Sequence, residues 1–279
     1  MPRPFLLAQL SDLHVKIPGR LAYGVVDTVS MVRACVSHLL ALKRRPDVIA
    51  ITGDLTDGGT PDEYAVLREL LAPLEMPVYV IPGNHDQREA LRAAFADHRY
   101  LSESSEFIQY AIDDHALRIV ALDTVIPRES SGELCEKRIA WLDRTLAAAP
   151  DRPTVVLMHH PPFTTFIAHM DAYGLRNPEA LLPVIERHPQ VEAILCGHVH
   201  RAIAVRFAGT IASTAPSTAH QVAFDLDVDA PSRFVMEPPA YRLHAFSAAT
   251  GLVSHTVHIG EFAGPYPFRE AERPGAELM

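Results

Sequence analysis

Short apolar runs bounded by turn residues recur along the first two thirds of the chain, at Phe5 to Leu10, Val48 to Ile51, Val78 to Ile81, Ile119 to Leu122, Val155 to Met158 and Ala193 to Leu195. Runs this short and continuously apolar read as buried strands. Between them, an approximate 3.6-residue apolar period predicts helices over Val26 to Lys43, Asp62 to Leu74, Arg88 to Phe95, Glu136 to Ala148 and Glu179 to His188. Thr60-Pro61-Asp62-Glu63 and Asn177-Pro178-Glu179 each place a capping residue ahead of Pro at the first helical position. Alternating strands and helices predict an α/β protein whose largely parallel or mixed sheet is covered by helices on its faces.

Past Val199 the pattern changes. Arg201 to Phe207, Thr210 to Ser213, Gln221 to Leu226, Ala240 to Phe246 and Leu252 to Ile259 read as short strands joined by Gly or Pro turns, with no helical period. The C-terminal third is therefore expected to complete a second sheet or to pack as hairpins. Gly264-Pro265-Tyr266-Pro267-Phe268 and the charged residues after it show no period and are expected to form a surface strap or frayed end. The expected organisation is a core over 1–200, C-terminal strands completing the second sheet and a hairpin over 201–262, and a surface tail over 263–279.

Composition narrows the class of function. With 279 residues, 48% hydrophobic and 21% charged, the chain has the makings of one large globular α/β unit with an appendage. A formal net charge of −9 offers no broad attraction to a polyanion, so a small substrate is expected rather than a nucleic acid polymer. The apolar run behind Met1-Pro2-Arg3-Pro4 is too short for a signal-peptide core, and no run approaches the roughly 18 residues of a membrane span, so no membrane association is expected. Cys35, Cys135 and Cys196 are an odd number, widely spaced and without a CxxC, which argues against a disulfide framework and a thiolate zinc site and for a cytoplasmic location.

Histidine is the anomaly. Fifteen are present, and several sit in pairs or beside Asp and Asn. Each of the five best strands runs straight into a polar cluster: Ser11-Asp12-Leu13-His14, Gly53-Asp54, Gly83-Asn84-His85-Asp86, His159-His160-Pro161-Pro162 and Gly197-His198-Val199-His200. In an open α/β sheet the carboxyl ends of parallel strands share one edge, where ligands bind, so these clusters are expected to converge. Asp12-Leu13-His14 and His198-Val199-His200 would each project two ligands on one side of an extended segment while the middle residue packs inward. Gly53 and Gly83 would let the backbone turn sharply as it leaves the strand. The donors are imidazole, carboxylate and amide oxygen, which suit Mn, Fe, Zn or Co rather than a thiolate-seeking metal.

A lone histidine at a strand end is more often a hydrogen-bonded structural residue than a ligand; the joint pattern reverses that expectation here. His160, His220, His244, His255 and His258 occupy no motif position and are read as structural or surface residues, with His220 alone able to reach a pocket rim. Asp57 and Asp86 are candidates to support the ligands, since a metal-bound histidine needs an acceptor for its other ring N–H; Asp86 could equally cap the next helix. Phe163 to Leu175, with His169, Met170, Asp171 and Tyr173, lacks a period and reads as a lid over the site.

In order and spacing, Asp12-x-His14, Gly53-Asp54, Gly83-Asn84-His85-Asp86, His159 and Gly197-His198-x-His200 resemble the calcineurin-like metallophosphoesterase superfamily. The chain is similar over nearly its full length to the bacterial branch of class III cyclic nucleotide and glycerophosphodiester phosphodiesterases. Tyr23-Gly24, Ile81-Pro82-Gly83-Asn84-His85-Asp86, Met158-His159-His160-Pro161-Pro162, Ser213-Thr214-Ala215-Pro216 and Ala263-Gly264-Pro265 resemble the glycerophosphodiesterase arm most. The resemblance implies a four-layer αββα sandwich of two mixed sheets flanked by helices, with a C-terminal β-rich appendage and a site for two divalent metal ions at one end. It implies that Asp12, His14 and His200 hold one metal, Asn84, His159 and His198 the other, that Asp54 bridges both, and that His85 faces the phosphate without binding metal. It also implies assembly into a homo-oligomer, for which C-terminal edge strands are available. The protein phosphatases of the superfamily carry an Arg shortly after the bridging Asp, and Gly58 stands there in this chain, which argues against that role.

Two divalent ions about 3.5 to 4 Å apart would activate a bridging hydroxide for in-line attack on a diester. Asp12 and Asp54 leave such a site with a net positive field that suits an anionic phosphodiester, and His85 would stabilise developing charge or protonate the leaving alkoxide. Hydrolysis of small phosphodiesters is the leading expectation, glycerophosphodiesters ahead of 3′,5′-cyclic nucleotides such as cAMP. A nuclease would want a basic groove, and the acidic balance speaks against one. A non-catalytic binding module that keeps the fold is the alternative from another class, and the full set of ligand positions speaks against it.

Overall fold

The computed structural model describes residues 3–102 and 106–269; the end of the expected tail, 270–279, lies outside the described residues. The elements run β1 (Phe5–Leu10), α1 (Thr28–Ala41), β2 (Val48–Thr52), α2 (Pro61–Leu71), β3 (Val78–Ile81), α3 (Arg88–Ala94), β4 (Tyr110–Ile112), β5 (Arg118–Ala121), α4 (Glu136–Ala147) and β6 (Thr154–Leu157). They continue with α5 (Ala168–Asp171), α6 (Leu182–Arg187), β7 (Val191–Cys196), β8 (Ala204–Phe207), β9 (Thr210–Thr214), β10 (Gln221–Val222), β11 (Phe234–Val235), β12 (Ala240–Ser247) and β13 (Gly251–His258).

Two mixed sheets carry the fold. The first has five strands in the order β13-β12-β1-β2-β3, the second six in the order β4-β5-β6-β7-β9-β8. β1, β2 and β3 are mutually parallel, as are β5, β6, β7 and β9. β12 joins the first sheet antiparallel to β1, and β13 turns back on β12. The C-terminal strands thus divide between the sheets, β8 and β9 lengthening the second and the β12–β13 hairpin the first.

Strand alternation explains the layering. Ile119, Ala121, Val155, Leu157, Ala193 and Leu195 pack into one core with β1, β2 and β3. Their neighbours Val120, Val156, Ile194 and Cys196 pack the other way, against Leu142 and Leu146 of α4 and Val184 and Ile185 of α6. One face of the second sheet therefore meets the first sheet and the other meets helices, as the period of two requires. On the far side of the first sheet, Val32, Cys35 and Leu39 of α1 and Tyr64 and Leu67 of α2 are fully buried, and a leucine buried this way contributes about 1.5 to 3 kcal/mol. The result is the four-layer αββα arrangement.

The expected capping at Thr60 is present: its hydroxyl accepts from Glu63 N, and the Glu63 carboxylate reaches back to Thr60 N. The expected helix over Glu179 to His188 is broken into a 3-10 turn, Pro178–Ala180, and α6, with Pro183 in the first turn of α6. Pro183 has no N–H to continue an earlier helix and is tolerated at a helix start. Asn177 does not cap; its side chain pairs with the backbone of Leu134. The strand expected over Gln221 to Leu226 stops at Val222, because the Asp225 and Asp227 side chains accept from Asp227 N and Asp229 N and so replace ladder pairing by local turns. Among the described residues, no helix is long and apolar enough to cross a membrane.

Candidate active site

β1, β2, β3, β6 and β7 end at one edge of the paired sheets, and the polar clusters that follow them meet there. The parallel pairing of β1 and β2 continues past both strands, with Asp12 N donating to Gly53 O and His14 N to Asp54 O at 3.1 and 2.9 Å. The second sheet is tied across this seam: the His159 Nδ1–H donates to Thr52 O at 2.8 Å, and His198 N donates to Asp12 Oδ1 at 3.0 Å.

Asp12, His14, Asp54, His198 and His200 all lie at positive φ, between 46° and 70°. The Asp-x-His and His-x-His segments are therefore not extended, as alternation alone suggested. Left-handed backbone at five non-glycine positions of one site is costly and persists where the surroundings over-determine it, a common signature of functional sites. Leu13 and Val199 are buried between their polar neighbours, as expected.

The donor atoms converge. His14 Nε2 lies 3.1 Å from His200 Nε2 and 3.5 Å from Asp54 Oδ2, and His200 Nε2 lies 3.4 Å from Asp12 Oδ1. On the other side, Asn84 Oδ1 faces His159 Nε2 at 3.0 Å and His198 Nδ1 at 3.1 Å, while Asp54 Oδ1 is 3.5 Å from His159 Nε2. The two oxygens of Asp54 thus look into two neighbouring clusters. Ligand atoms of Asp12, His14, Asp54 and His200 all fall within 4.8 Å of one another, as do those of His159, His160 and His198.

Buried donors packed this way fit a pair of cations. Asp12 Oδ2 and His198 Nε2 are shielded from solvent with no hydrogen-bond partner among the described residues, and such atoms are rare in folded proteins unless something outside the chain satisfies them. Burial pushes the Asp12 carboxyl up to about 6. Burial also opposes charge on Asp54, but His159, His85 and His14 outweigh it and hold that carboxyl well below the usual range. His159 is the counterpart: burial works against its protonation, and Asp54 overrides this to lift the ring to about 9. Burial and the neighbouring imidazoles drive His198 and His200 down, the latter to about 3, so both present neutral lone pairs.

Supporting groups fix the rings. His200 Nδ1–H donates to His220 O and His85 Nδ1–H to Asp57 O. The Asp57 carboxylate lies between Lys16 Nζ at 2.6 Å and His14 Nδ1 at 3.3 Å. Asp86 does not cap α3, whose N-cap is Gln87. Its carboxylate instead accepts from Leu55 N, Thr56 N, Gly83 N and Tyr64 Oη, clamping the Asp54 loop to the Asn84 loop. Gly83 has an ordinary φ, so its role is close approach rather than a turn: a Cβ there would lie 2.8 Å from His159 Cε1 and nearer still to Asp54.

His160 is structural, with Nδ1 at Thr124 Oγ1 and Nε2 at Ser130 O; His244 likewise spends both nitrogens on Ser254 and Gln9. The cluster opens into a cavity of about 400 Å³ lined also by His85, Tyr23, Ser130, His220, Phe234 and Arg233. His169, Met170 and Tyr173 of the expected lid form one wall. His220 reaches the cavity, its ring 4.7 Å from that of His200. Phe234, Arg233 and Ser130 carried no local signal in the sequence, because they arrive from loops distant in the chain.

Comparison with known proteins agrees with this geometry. The profile of the calcineurin-like phosphoesterase family matches residues 5–202. A protein of Arcobacter nitrofigilis named probable glycerophosphodiester phosphodiesterase GpdQ is 42% identical over 264 residues, covering 94% of this chain and 96% of its own. The 3′,5′-cyclic adenosine monophosphate phosphodiesterase CpdA of Pseudomonas aeruginosa is 34% identical over 196 residues, 70% of each chain. Among solved structures, a dimetal phosphatase from Danio rerio superposes with a TM-score of 0.63 at 16% identity, over 93% of this chain and 100% of its own, which is a likeness of fold.

Proposed function

This chain belongs to the calcineurin-like phosphoesterase family, and on that premise we propose that it is a dinuclear metal-dependent phosphodiesterase of small diesters, glycerophosphodiesters first. The observation that carries the reading is the convergence of Asp12, His14, Asp54, Asn84, His159, His198 and His200 from five strand ends, with His14, Asp54, Asn84, His198 and His200 opening on one small cavity. We assign Asp12, His14 and His200 to one ion, Asn84, His159 and His198 to the other, and Asp54 to both. Imidazole, carboxylate and amide oxygen suit Mn, Fe, Zn or Co. When bound, such ions supply Lewis acidity toward a phosphoryl oxygen and lower the pKa of water.

The chain's own groups do the rest. Thr52 O, His220 O and Asp57 orient the rings of His159, His200 and His14 so that their Nε2 atoms face inward. Asp57 O holds His85 by Nδ1, which leaves Nε2 to exchange a proton with a substrate oxygen as the leaving group departs. Tyr23, Phe234 and the lid limit the space beside the phosphate to a small alcohol arm, in a cavity of ordinary small-molecule size.

Cleavage of 3′,5′-cyclic nucleotides is the second reading, favoured by the aromatic wall of Tyr23 and Phe234, rings 5.3 Å apart, against which a base can stack. The names of relatives support both readings, with the longer match of higher identity on the glycerophosphodiester side. Free thiols at Cys35, Cys135 and Cys196 suit the cytoplasm. We infer from the resemblance that the chain forms a homo-oligomer, with the C-terminal edge strands β8 and β13 available for pairing, which light scattering checks: a strictly monomeric protein excludes it.

The test is hydrolysis by the Mn-reconstituted protein of glycerophosphoethanolamine, cAMP and bis(p-nitrophenyl) phosphate, with Asn84→Ala and His85→Ala alongside. Metal-dependent cleavage lost in both variants is expected, with the glycerodiester turned over faster than cAMP. Three untouched substrates in a metal-loaded protein would refute the reading.

A further inference from the structure

The cluster of His, Asp and Asn side chains opens on a second cavity besides the one already described. This groove, of about 410 Å³, shares Asn84 and His85 with the first cavity and no other residue. Asn84 and His85 are also the part-exposed members of a cluster that is otherwise buried. The remaining walls come from Gln87, Arg88 and Glu89 at the start of α3 and from Val125, Pro127 and Arg128 in the loop after β5. A phosphodiester carries two arms on one phosphate, so a phosphate beside Asn84 and His85 has a cavity for each arm, both of ordinary small-molecule size.

Most charged groups of the groove are spent. The Asp86 carboxylate is taken up by donors from Leu55, Gly83 and Tyr64. The Arg88 guanidinium pairs with Asp123 and donates to Val125 O at 2.7 Å. Arg128 and Glu89 are the exceptions: both are exposed, and neither side chain has an ion pair among the described residues.

The backbone beneath Arg128 is unusual. Ile126-Pro127-Arg128-Glu129 forms a β-turn closed by Glu129 N donating to Ile126 O at 3.1 Å, with Arg128 at φ 67° behind Pro127. Pro followed by a positive φ is a type II turn, whose third position favours glycine or asparagine, so an arginine stands there at a conformational cost. The turn is anchored on both sides, since Val125 O accepts from Arg88 and Arg138 and Glu129 pairs with Arg176. A cation kept at a cost on an anchored turn, beside a groove and without an anion, suits an anionic ligand group.

A guanidinium forks onto a carboxylate or a phosphate through two parallel N–H···O bonds. Glu89 decides between them: its charge opposes a dianionic phosphate and suits an ammonium next to a carboxylate. An amino-acid arm carries both groups.

We propose that the groove is the subsite for the second arm of the diester and that Arg128 is its specificity-determining residue, binding the carboxylate of an amino-acid arm. This rests on the phosphodiesterase reading above and adds the second arm to it. The test compares kcat and KM of the Mn-reconstituted full chain on glycerophosphoserine and glycerophosphoethanolamine, which differ only by that carboxylate, with bis(p-nitrophenyl) phosphate as a third substrate. The wild-type protein is expected to favour the serine diester in kcat/KM by about 5-fold to 10-fold. Arg128→Gly removes the side chain where the turn accepts glycine best, so the urea midpoint should not fall; the preference should shrink to within about 2-fold, through KM for the serine diester. Arg128→Lys should keep part of the preference, and Arg128→Glu should invert it toward ethanolamine. No preference in the wild-type protein, or the same preference in Arg128→Gly, would overturn the assignment. Activity on bis(p-nitrophenyl) phosphate alone would overturn it while leaving the metal chemistry standing; inactivity on all three would instead refute the phosphodiesterase reading on which it rests.

Discussion

Gly83 is one of the tightest points of the site, and replacing it by alanine is a direct probe of how the loops are held. A Cβ at this position would lie 2.8 Å from His159 Cε1 and closer to both Oδ1 and the backbone N of Asp54. An ordinary contact needs about 3.5 Å, so the neighbours must give way by about 1 Å. The backbone of Asp54 cannot swing aside as a side chain would, and Gly83 N is itself held by the Asp86 carboxylate at 2.9 Å. The displacement therefore falls on Asp54 and His159, the two residues through which the halves of the cluster communicate. A misplacement of about 1 Å costs about 100-fold in rate, and overpacking a site this close costs about 1 to 3 kcal/mol of stability. The assay is kcat/KM on bis(p-nitrophenyl) phosphate at saturating Mn, with metal content and the urea midpoint measured on the same preparation. A Gly83→Ala protein with unchanged rate, metal content and midpoint would refute this account of why glycine precedes Asn84.

Asp57→Ala removes the carboxylate between Lys16 and His14 while leaving the backbone oxygen that orients His85; it is expected to weaken Mn binding by about 10-fold to 100-fold, read by competition with a chelator, and unchanged affinity would make Asp57 a bystander. The buried ring of His244 is driven by burial from its ordinary 6.5 down to about 3. Because the folded form resists protonation, the unfolded chain binds that proton first, and stability is lost as pH falls from 6.5 toward 3, at up to about 1.4 kcal/mol per pH unit. Urea midpoints against pH should show the slope and His244→Asn should flatten it; an identical slope in the variant would place the acid sensitivity elsewhere.

Much of this was legible in the sequence because two simple signals coincide. The parallel strands are short apolar runs, and each ends in residues whose polarity is hard to bury without a purpose, so Asp12, Asp54, Asn84, His159 and His198 could be placed on one sheet edge. What escaped was set by tertiary contact. Tyr110–Ile112 is a three-residue edge strand, too short for a period to register. Asp123 follows β5 as the other clusters follow their strands, yet its carboxylate serves to hold Arg88, at 2.6 and 2.8 Å, and so ties α3 to the second sheet. Asp86 could be read as a cap or a support, and only its donors from the Asp54 loop, the Asn84 loop and α2 decide for the support. The left-handed backbone at Asp12, His14, Asp54, His198 and His200 has no local sequence signature, since positive φ stays uncommon even for Asp and His and is imposed there by the surroundings. The cavity walls from Tyr23, the lid and the β10–β11 hairpin depend on chain crossings that no window of sequence contains.

The central claim is that two metal ions, held by these seven side chains, make the chain a phosphodiesterase. A titration of the chelator-stripped protein with Mn, following bis(p-nitrophenyl) phosphate hydrolysis against equivalents of metal per chain, tests it most directly. The account predicts no activity without metal, a rise that reaches its plateau at about two equivalents, and no rise in His159→Ala. Full activity in the stripped protein, or a plateau at one equivalent, would contradict it.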